Sequence, residues 1–326
     1  MRTAAIEAFV RVVQDGSIHK AATALGITQP TVTKALQHIE AELGVSLLTR
    51  GSRGITLTEQ GKRFHARALI ILSELRKSRE DMQQLGGAMG GAVAVNLAPA
   101  AVSGIGPVAI TRFQAKYPQT KVYVKESLPP YALDGLRDGS TDMTVVPMNA
   151  GISRREFEVT RLLSLPMVIV TKKGSRFQAV TSLAELTQAK WIRLGVHAGP
   201  SIFLDRAFQE HGLPAPGNYL SCQSIAAAAS IVATDDYCVM LPKNFIEDSG
   251  LSLQMVEIPI AQALPTNNLV LIRRNDRPLT RAAELFWEEI KGAAADLVRA
   301  QGAHNGMQQS GAARPRRSKV IPTRHI

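Results

Sequence analysis

The stretch from Ser17 to Gly61, SIHKAATALGITQPTVTKALQHIEAELGVSLLTRGSRGITLTEQG, constrains this chain more than any other. Ala21, Ala22 and Leu25 recur at helical spacing, and the two small alanines let a crossing helix approach closely. Gly26 suits the left-handed backbone just past a helix end. Ile27 is placed to plug the turn and Thr28 to cap the next helix. Pro30 falls in that helix's first turn, where a missing N–H is harmless. Val32, Leu36, Ile39 and Leu43 then make a buried stripe. Gln29, Thr31, Thr33, Lys34, Gln37 and His38 occupy the opposite face, with side chains that reach base edges and phosphates. The pattern predicts a helix-turn-helix whose second helix enters the DNA major groove.

A small wing follows. Leu47–Arg50 and Ile55–Thr58 read as two short apolar strands around Gly51-Ser52-Arg53-Gly54. An arginine on such a tip is placed to enter the neighbouring minor groove, where negative potential concentrates. The plainer alternative is an amphipathic hairpin in a core, with Arg50 and Arg53 as solvated turn cations. It gives no reason for the glycine turn, the short polar first turn and the wing to occur together. The expected DNA-binding residues are Gln29, Pro30, Thr31, Thr33, Lys34, His38, Arg50 and Arg53.

Over residues 4 to 66 the block resembles the N-terminal domain of LysR-type transcriptional regulators, bacterial winged helix-turn-helix proteins of about this length. Thr33 stands where that family usually has serine, which keeps a hydroxyl. Leu48 stands where phenylalanine is usual, one wing hydrophobe for another.

Thr58 is positioned to cap a long helix through Leu85. Along it Phe64, Ala68, Ile71, Leu75, Ser78, Met82 and Leu85 are spaced alternately by four and three residues, the period of a coiled-coil seam. The expected dimerisation residues are Phe64, Ala68, Ile71, Leu75, Met82 and Leu85. Arg76, Lys77, Arg79, Glu80 and Asp81 beside them suit solvent and interhelical pairs. The alternative is a helix packed on its own domain. Paired half-sites favour the dimer, and the resemblance implies paired linker helices in a homodimer or homotetramer. Gly86-Gly87-Ala88-Met89-Gly90-Gly91 then reads as a flexible hinge. It is no phosphate loop, because no Lys-Ser or Lys-Thr follows.

From 92 to about 300, strand-like and helix-like runs alternate, which implies mixed sheets covered by helices. Two comparable sets suggest two lobes, with crossing segments at Arg161–Pro166 and Ala263–Asn268. The expected fold is α/β. It comprises a winged helix-turn-helix (1–58), a linker and dimerisation helix (59–88) and a two-lobed, periplasmic-binding-protein-like effector domain (92–300). Lobe I takes about 92–162 and 267–300, and lobe II about 163–266. A disordered basic tail (301–326) completes the chain.

Ligand is expected between the lobes, at the carboxyl ends of strands. Ala98-Pro99-Ala100, His197 to Ser201 and Cys222-Gln223-Ser224 each precede a helix and leave N–H groups free for an anion. Ser127, Leu128, Met148 and Ile202 complete the expected site, which therefore comprises Ala98, Pro99, Ala100, Ser127, Leu128, Met148, His197, Ser201, Ile202, Gln223 and Ser224. A small carboxylate or sulfonate with an apolar body fits this set. Each residue alone reads equally as a helix cap or core contact. Ala98 stands where many members of the resembled family offer a hydroxyl.

The net charge of +11 is uneven. Residues 1–90 hold twelve basic against eight acidic residues, and the last 26 hold five basic residues and no acid. A polyanion partner follows, with salt-sensitive affinity. Catalysis lacks a motif: His197 and His211 have no nucleophile elbow beside them, and no CxxC or HxxxH metal spacing occurs. No metal or cofactor is expected beyond a small-molecule effector. Asp235-Asp236 reads as a turn, and Cys222 and Cys238 lack the basic neighbours of a redox switch. With two cysteines, no uninterrupted apolar run of eighteen and no signal-peptide core, a cytoplasmic protein away from membranes is expected. The leading reading is an effector-responsive transcriptional regulator binding double-stranded operator DNA, with RNA polymerase a further candidate partner. Alternatives are a constitutive DNA-binding or architectural protein without an effector, and an enzyme with a DNA-binding appendage.

Overall fold

The computed structural model describes residues 1–311 except 52–53, 88–89, 129–130, 149–150, 196–200 and 249–253, and omits the side chains of Arg50, Glu247, Asp248 and residues 301–311. The N-terminal unit packs α1 (Thr3–Asp15), α2 (Ile18–Leu25) and α3 (Gln29–Leu43) with a hairpin of β1 (Leu48–Gly51) and β2 (Gly54–Leu57). Phe9, Val12, Ala21, Val32, Ile39 and Leu47 are buried in its core. Gly26 ends α2 at φ 66°, as its left-handed role requires.

Two residues expected inside are outside: Ile27 is 41% and Leu43 also 41% exposed. The turn is closed instead by backbone, with Ile27 N–H donating to Ala22 O. Leu43 is the last residue of α3.

α4 (Glu59–Leu85) begins at Thr58, whose Oγ1 accepts from Gly61 N–H at 2.9 Å and donates to Ser46 O at 2.7 Å. Gly61 cannot be replaced cheaply, because a Cβ there would sit 2.0 Å from Leu47 O. Helix and wing thus meet backbone to backbone.

Beyond α4, β3 (Ala92–Leu97) pairs in parallel with β4 (Lys121–Glu126) and β5 (Met143–Pro147). β6 (Phe157–Lys172) pairs with β11 (Thr266–Arg274) in its first half and with β9 (Tyr237–Pro242) and β10 (Met255–Glu257) in its second. β9 continues to β7 (Lys190–Leu194) and β8 (Tyr219–Cys222). The two expected sheets are therefore one hydrogen-bonded sheet of nine strands, a path of eight with β10 added at β6, fused through β6. The crossing segment expected at Arg161–Pro166 is not a loop but the middle of this sixteen-residue strand.

Helices cover both lobes. α5 (Pro99–Val102) and α6 (Ile105–Lys116) follow β3, separated by Ser103-Gly104. α7 (Asp134–Asp138) lies in lobe I, and α8 (Ser201–Glu210), α9 (Ile225–Thr234) and α10 (Lys243–Asp248) in lobe II. α11 (Arg281–Gly311) returns to pack on α6. It stays helical through 301–311, where the sequence predicts disorder; residues 312–326 lie outside the described residues. Among the described residues no helix is long and apolar enough to cross a membrane.

α4 does not stand free of lobe I. Its Ser73 Oγ donates to Gly139 O at 2.6 Å, and Lys77 Nζ meets Asp142 Oδ1 at 2.7 Å. Gln84 accepts from Ala282 N–H at 2.9 Å and donates to Gly90 O at 2.9 Å. Lys77, expected in solvent or between helices, is instead buried against lobe I. The glycine run expected to be a free hinge is fastened at Gly90 by Gln84, while 88–89 lie outside the described residues.

Candidate nucleic-acid interface and ligand cleft

α3 holds the first site. Gln29, Pro30, Thr31, Lys34, Gln37 and His38 are exposed and Thr33 half-buried, while Val32, Leu36 and Ile39 anchor the other face. Gln29, Pro30, Thr31, Thr33, Lys34 and Gln37 border one continuous open surface. Thr28 starts the helix without capping it by side chain: its hydroxyl pairs with that of Thr31 at 2.8 Å. Gln29 Nε2 lies 2.7 Å from His19 Nδ1, which ties the first turn of α3 to α2.

The wing is pinned to the same helix by a residue the sequence reading overlooked. Glu40 Oε1 accepts from Leu47 N–H at 2.7 Å and Leu48 N–H at 3.2 Å. A capping carboxylate one turn before a helix end is a weak sequence signal, and only the wing's position reveals it. Arg50 lies in β1 opposite Ile55, and Thr49 pairs with Thr56. Arg53, at the expected tip, lies outside the described residues.

The expected dimer seam divides in two. Ala68 is fully buried inside the DNA-binding unit, and Phe64 packs edge-on against Phe9 with ring centroids 5.1 Å apart. Both belong to the intrachain core. Ile71, Leu75, Met82 and Leu85 are exposed along α4, by 37%, 37%, 63% and 68%. His65, beside Phe9 at 6.1 Å, is held below the usual imidazole pKa by burial, with the Asp138 charge opposing.

The second site is the cleft between lobes, a narrow cavity of about 20 Å³. Lobe I contributes Ala98, Pro99, Ala100, Leu128 and Pro147, and lobe II Leu194, Ile225, Met240, Leu241 and Pro242. Met167 and Asn267 come from the strands that join them, β6 and β11. Most of these residues end strands, as expected for a ligand crevice. Of the expected effector residues, Ala98, Pro99, Ala100 and Leu128 line it.

The others do not. Ser127 stops short of the cavity, and Met148 lies on the far side of the crossing strands with Arg161 and Asn268. Ser201 is buried at the start of α8, and Ile202 is 40% exposed. Gln223 and Ser224 are exposed, and Ser224 Oγ is engaged in capping α9 by accepting from Ala227 N–H. His197 lies outside the described residues. The missed wall, at Pro147, Met167, Leu194 and Met240, reads in sequence as ordinary strand interior.

Asn244 of lobe II reaches lobe I across the cleft, with Nδ2 3.2 Å from Ser103 Oγ and 3.4 Å from Ala100 O. The carboxylates Asp235 and Asp236 are ion-paired to Lys190 and Lys172, as turn residues. Burial pushes the Cys238 thiol up to about 12, with Asp236 adding to the effect, so it is no nucleophile at neutral pH.

Comparison with known proteins agrees with this geometry. Residues 3–62 match the bacterial regulatory helix-turn-helix of the lysR family, and residues 86–295 match the LysR substrate binding domain. The transcriptional regulator TdcA of Escherichia coli K12 is 25% identical over 292 residues, covering 89% of this chain and 92% of TdcA. GbpR of Azospirillum brasilense is 23% identical over 299 residues, covering 90% and 87%. Among solved structures, CbnR, a LysR family transcriptional regulator, superposes with a TM-score of 0.68 at 18% identity, covering 90% of this chain and 99% of CbnR. A full-length OxyR variant from Pseudomonas aeruginosa gives 0.65 at 20% identity, covering 89% and 95%. The chain belongs to the LysR family of transcriptional regulators, with a DNA-binding helix-turn-helix followed by an effector-binding domain.

Proposed function

We propose that this regulator reads a two-fold operator as a homodimer or homotetramer and changes its grip when a small metabolite enters the cleft. Gln29, Pro30, Thr31, Thr33, Lys34 and His38 contact the major groove, and Arg50 and Arg53 of the wing the adjacent backbone and minor groove. The observation that carries the reading is the polar, open face of α3, held rigid by the apolar stripe behind it. A CbnR structure with its target DNA, of the same fold by a TM-score of 0.67, gives the precedent for that protein. The exposed Ile71, Leu75, Met82 and Leu85 support pairing of α4 between chains.

The effector is a small molecule with an apolar body, since the described cleft walls are almost wholly apolar. A carboxylate or sulfonate on it would sit at the mouth, near the starts of α8 and α9, where helix N-termini favour negative charge. The protein acts in the cytoplasm, without catalysis or cofactor, and RNA polymerase is the partner through which occupancy is read. Genomic fragments retained by the protein, followed by footprinting, test the reading. We expect a footprint with paired half-sites, weakened by Lys34→Ala and altered by an effector. Sequence-independent retention that Lys34→Ala leaves unchanged would overturn it. A specific footprint that no metabolite alters would favour the constitutive alternative.

A further inference from the structure

We infer that Asn267 anchors the effector, and that the effector presents a hydroxyl or N–H donor at the buried end of an otherwise apolar, ring-sized body. The inference rests on the cleft reading above and specifies the ligand chemistry of that cleft.

Asn267 lies on β11 opposite Leu165 of β6, where the two strands pass between lobes. Its residue is 3% exposed and it lines the cavity, yet its Oδ1 has no hydrogen-bond partner. The neighbouring Asn268 shows the contrast. The two-residue period of the strand turns it to the opposite face, where its Oδ1 accepts from Ser164 Oγ at 2.5 Å. Around Asn267 the described walls offer no donor side chain: Met167, Met240, Leu194 and Ile225 are hydrocarbon or thioether. A leucine, with the same branching and number of heavy atoms, would fill position 267 with hydrocarbon and bury no amide. A buried acceptor left unpaired is destabilising, so the amide is explained by a ligand that pairs with it.

The walls fix the rest of the ligand. The cavity of about 20 Å³ holds no more than a water, so a ring is admitted only when its walls yield. Met167 and Met240 are the walls suited to yield, being unbranched and polarizable, and their sulfurs favour aromatic partners. A phenol-like or benzylic alcohol matches these demands.

Titration calorimetry on the full-length protein tests this with four probes: phenol and benzyl alcohol, which carry a donor, and anisole and toluene, which do not. Wild-type protein should bind the first two about tenfold more tightly than their counterparts, the worth of one neutral hydrogen bond. In Asn267→Leu the preference should vanish, while toluene binding is kept or improved. The ligand-free variant should melt about 2–4 °C higher once the unpaired amide is gone. Equal affinity of wild type for donor and non-donor probes would overturn the role of Asn267 and leave the cleft reading standing. Absence of saturable binding by all four probes would overturn this inference, while a footprint still altered by other metabolites would keep the effector reading.

Discussion

Replacing Lys77 by methionine removes one charge from the seam between α4 and lobe I and leaves its apolar stem nearly intact. The side chains of Lys77 and Asp142 are only 11% and 5% exposed, with Nζ and Oδ1 2.7 Å apart. Asp142 Oδ2 also accepts from Ala94 N–H at 2.8 Å, so the carboxylate is built into the start of the lobe I sheet. Without Lys77 it keeps one hydrogen bond and loses its counter-charge in a poorly hydrated place. Breaking a buried pair this way costs about 3–5 kcal/mol, or roughly two to nearly four powers of ten in the docking equilibrium. Asp142→Asn should cost less, because the amide still accepts from Ala94 and the long Lys77 stem can carry its ammonium to water. The double variant Lys77→Met with Asp142→Asn should recover most of the loss, since no charge remains buried. Hydrogen exchange followed by mass spectrometry reads the outcome on peptides from α4 (residues 74–84) and β3. Exchange in α4 should rise about a hundredfold in Lys77→Met and fall back in the double variant. Exchange within twofold of wild type, or a double variant as labile as Lys77→Met, would refute the claim that this pair holds helix to lobe.

The other predictions concern the two sites and the α4 face. Ile71→Asp with Leu75→Asp should yield monomers by light scattering, because both side chains are exposed on the same stripe; an unchanged oligomer would sink the pairing of α4. Thr33→Ala or Lys34→Ala should weaken operator binding by anisotropy titration, and Lys34→Ala should lower the salt slope by about one if it meets a phosphate. Arg53→Ala should cost about 1–3 kcal/mol if the wing reads a base edge. The depressed pKa of His65 means that the unfolded chain takes up its proton first on acidification. Its contribution is therefore complete above pH ~6.5 and lost as pH falls below that value, and His65→Phe should flatten the melting curve's pH dependence there. Cys238 should resist iodoacetamide in the native protein at pH 8 and react on unfolding, given its raised pKa and burial.

The helix-turn-helix was legible because its signals are local: a glycine at φ 66°, a proline in a first turn and an apolar stripe at helical spacing specify it without distant contacts. The lobes were legible as alternating elements. Their fusion through β6 was not, since Pro166 resembles a break and gives no sign that the strand runs through it, paired with Thr266. The cleft was the least legible part. Its walls come from eight separate segments, most of them at strand ends, and what distinguishes them from core is only that another lobe faces them.

α4 shows most clearly why periodicity alone misleads. A heptad pattern identifies a face that avoids water, but a helix carries other faces too. Here Phe64 and Ala68 complete the DNA-binding core, while Ile71, Leu75, Met82 and Leu85 continue the same stripe into solvent. Ser73, Lys77, Asp81 and Gln84 form a second stripe, polar rather than apolar, and it is this one that faces lobe I: Asp81 accepts from Arg281 N–H at 3.0 Å and Gln84 from Ala282 N–H. Polar residues at helical spacing resemble a solvated surface until the groups that satisfy them are known, and the lobe I groups that do so lie 65 to 200 residues away in sequence. A polar seam is also held by specific partners more than by area, so it can part and reform without exposing a large apolar surface. The polar stripe fastens α4 to the effector domain, and on the proposed pairing the apolar stripe would fasten it to a second chain, so that one helix would carry both couplings that a ligand-driven change in DNA grip requires.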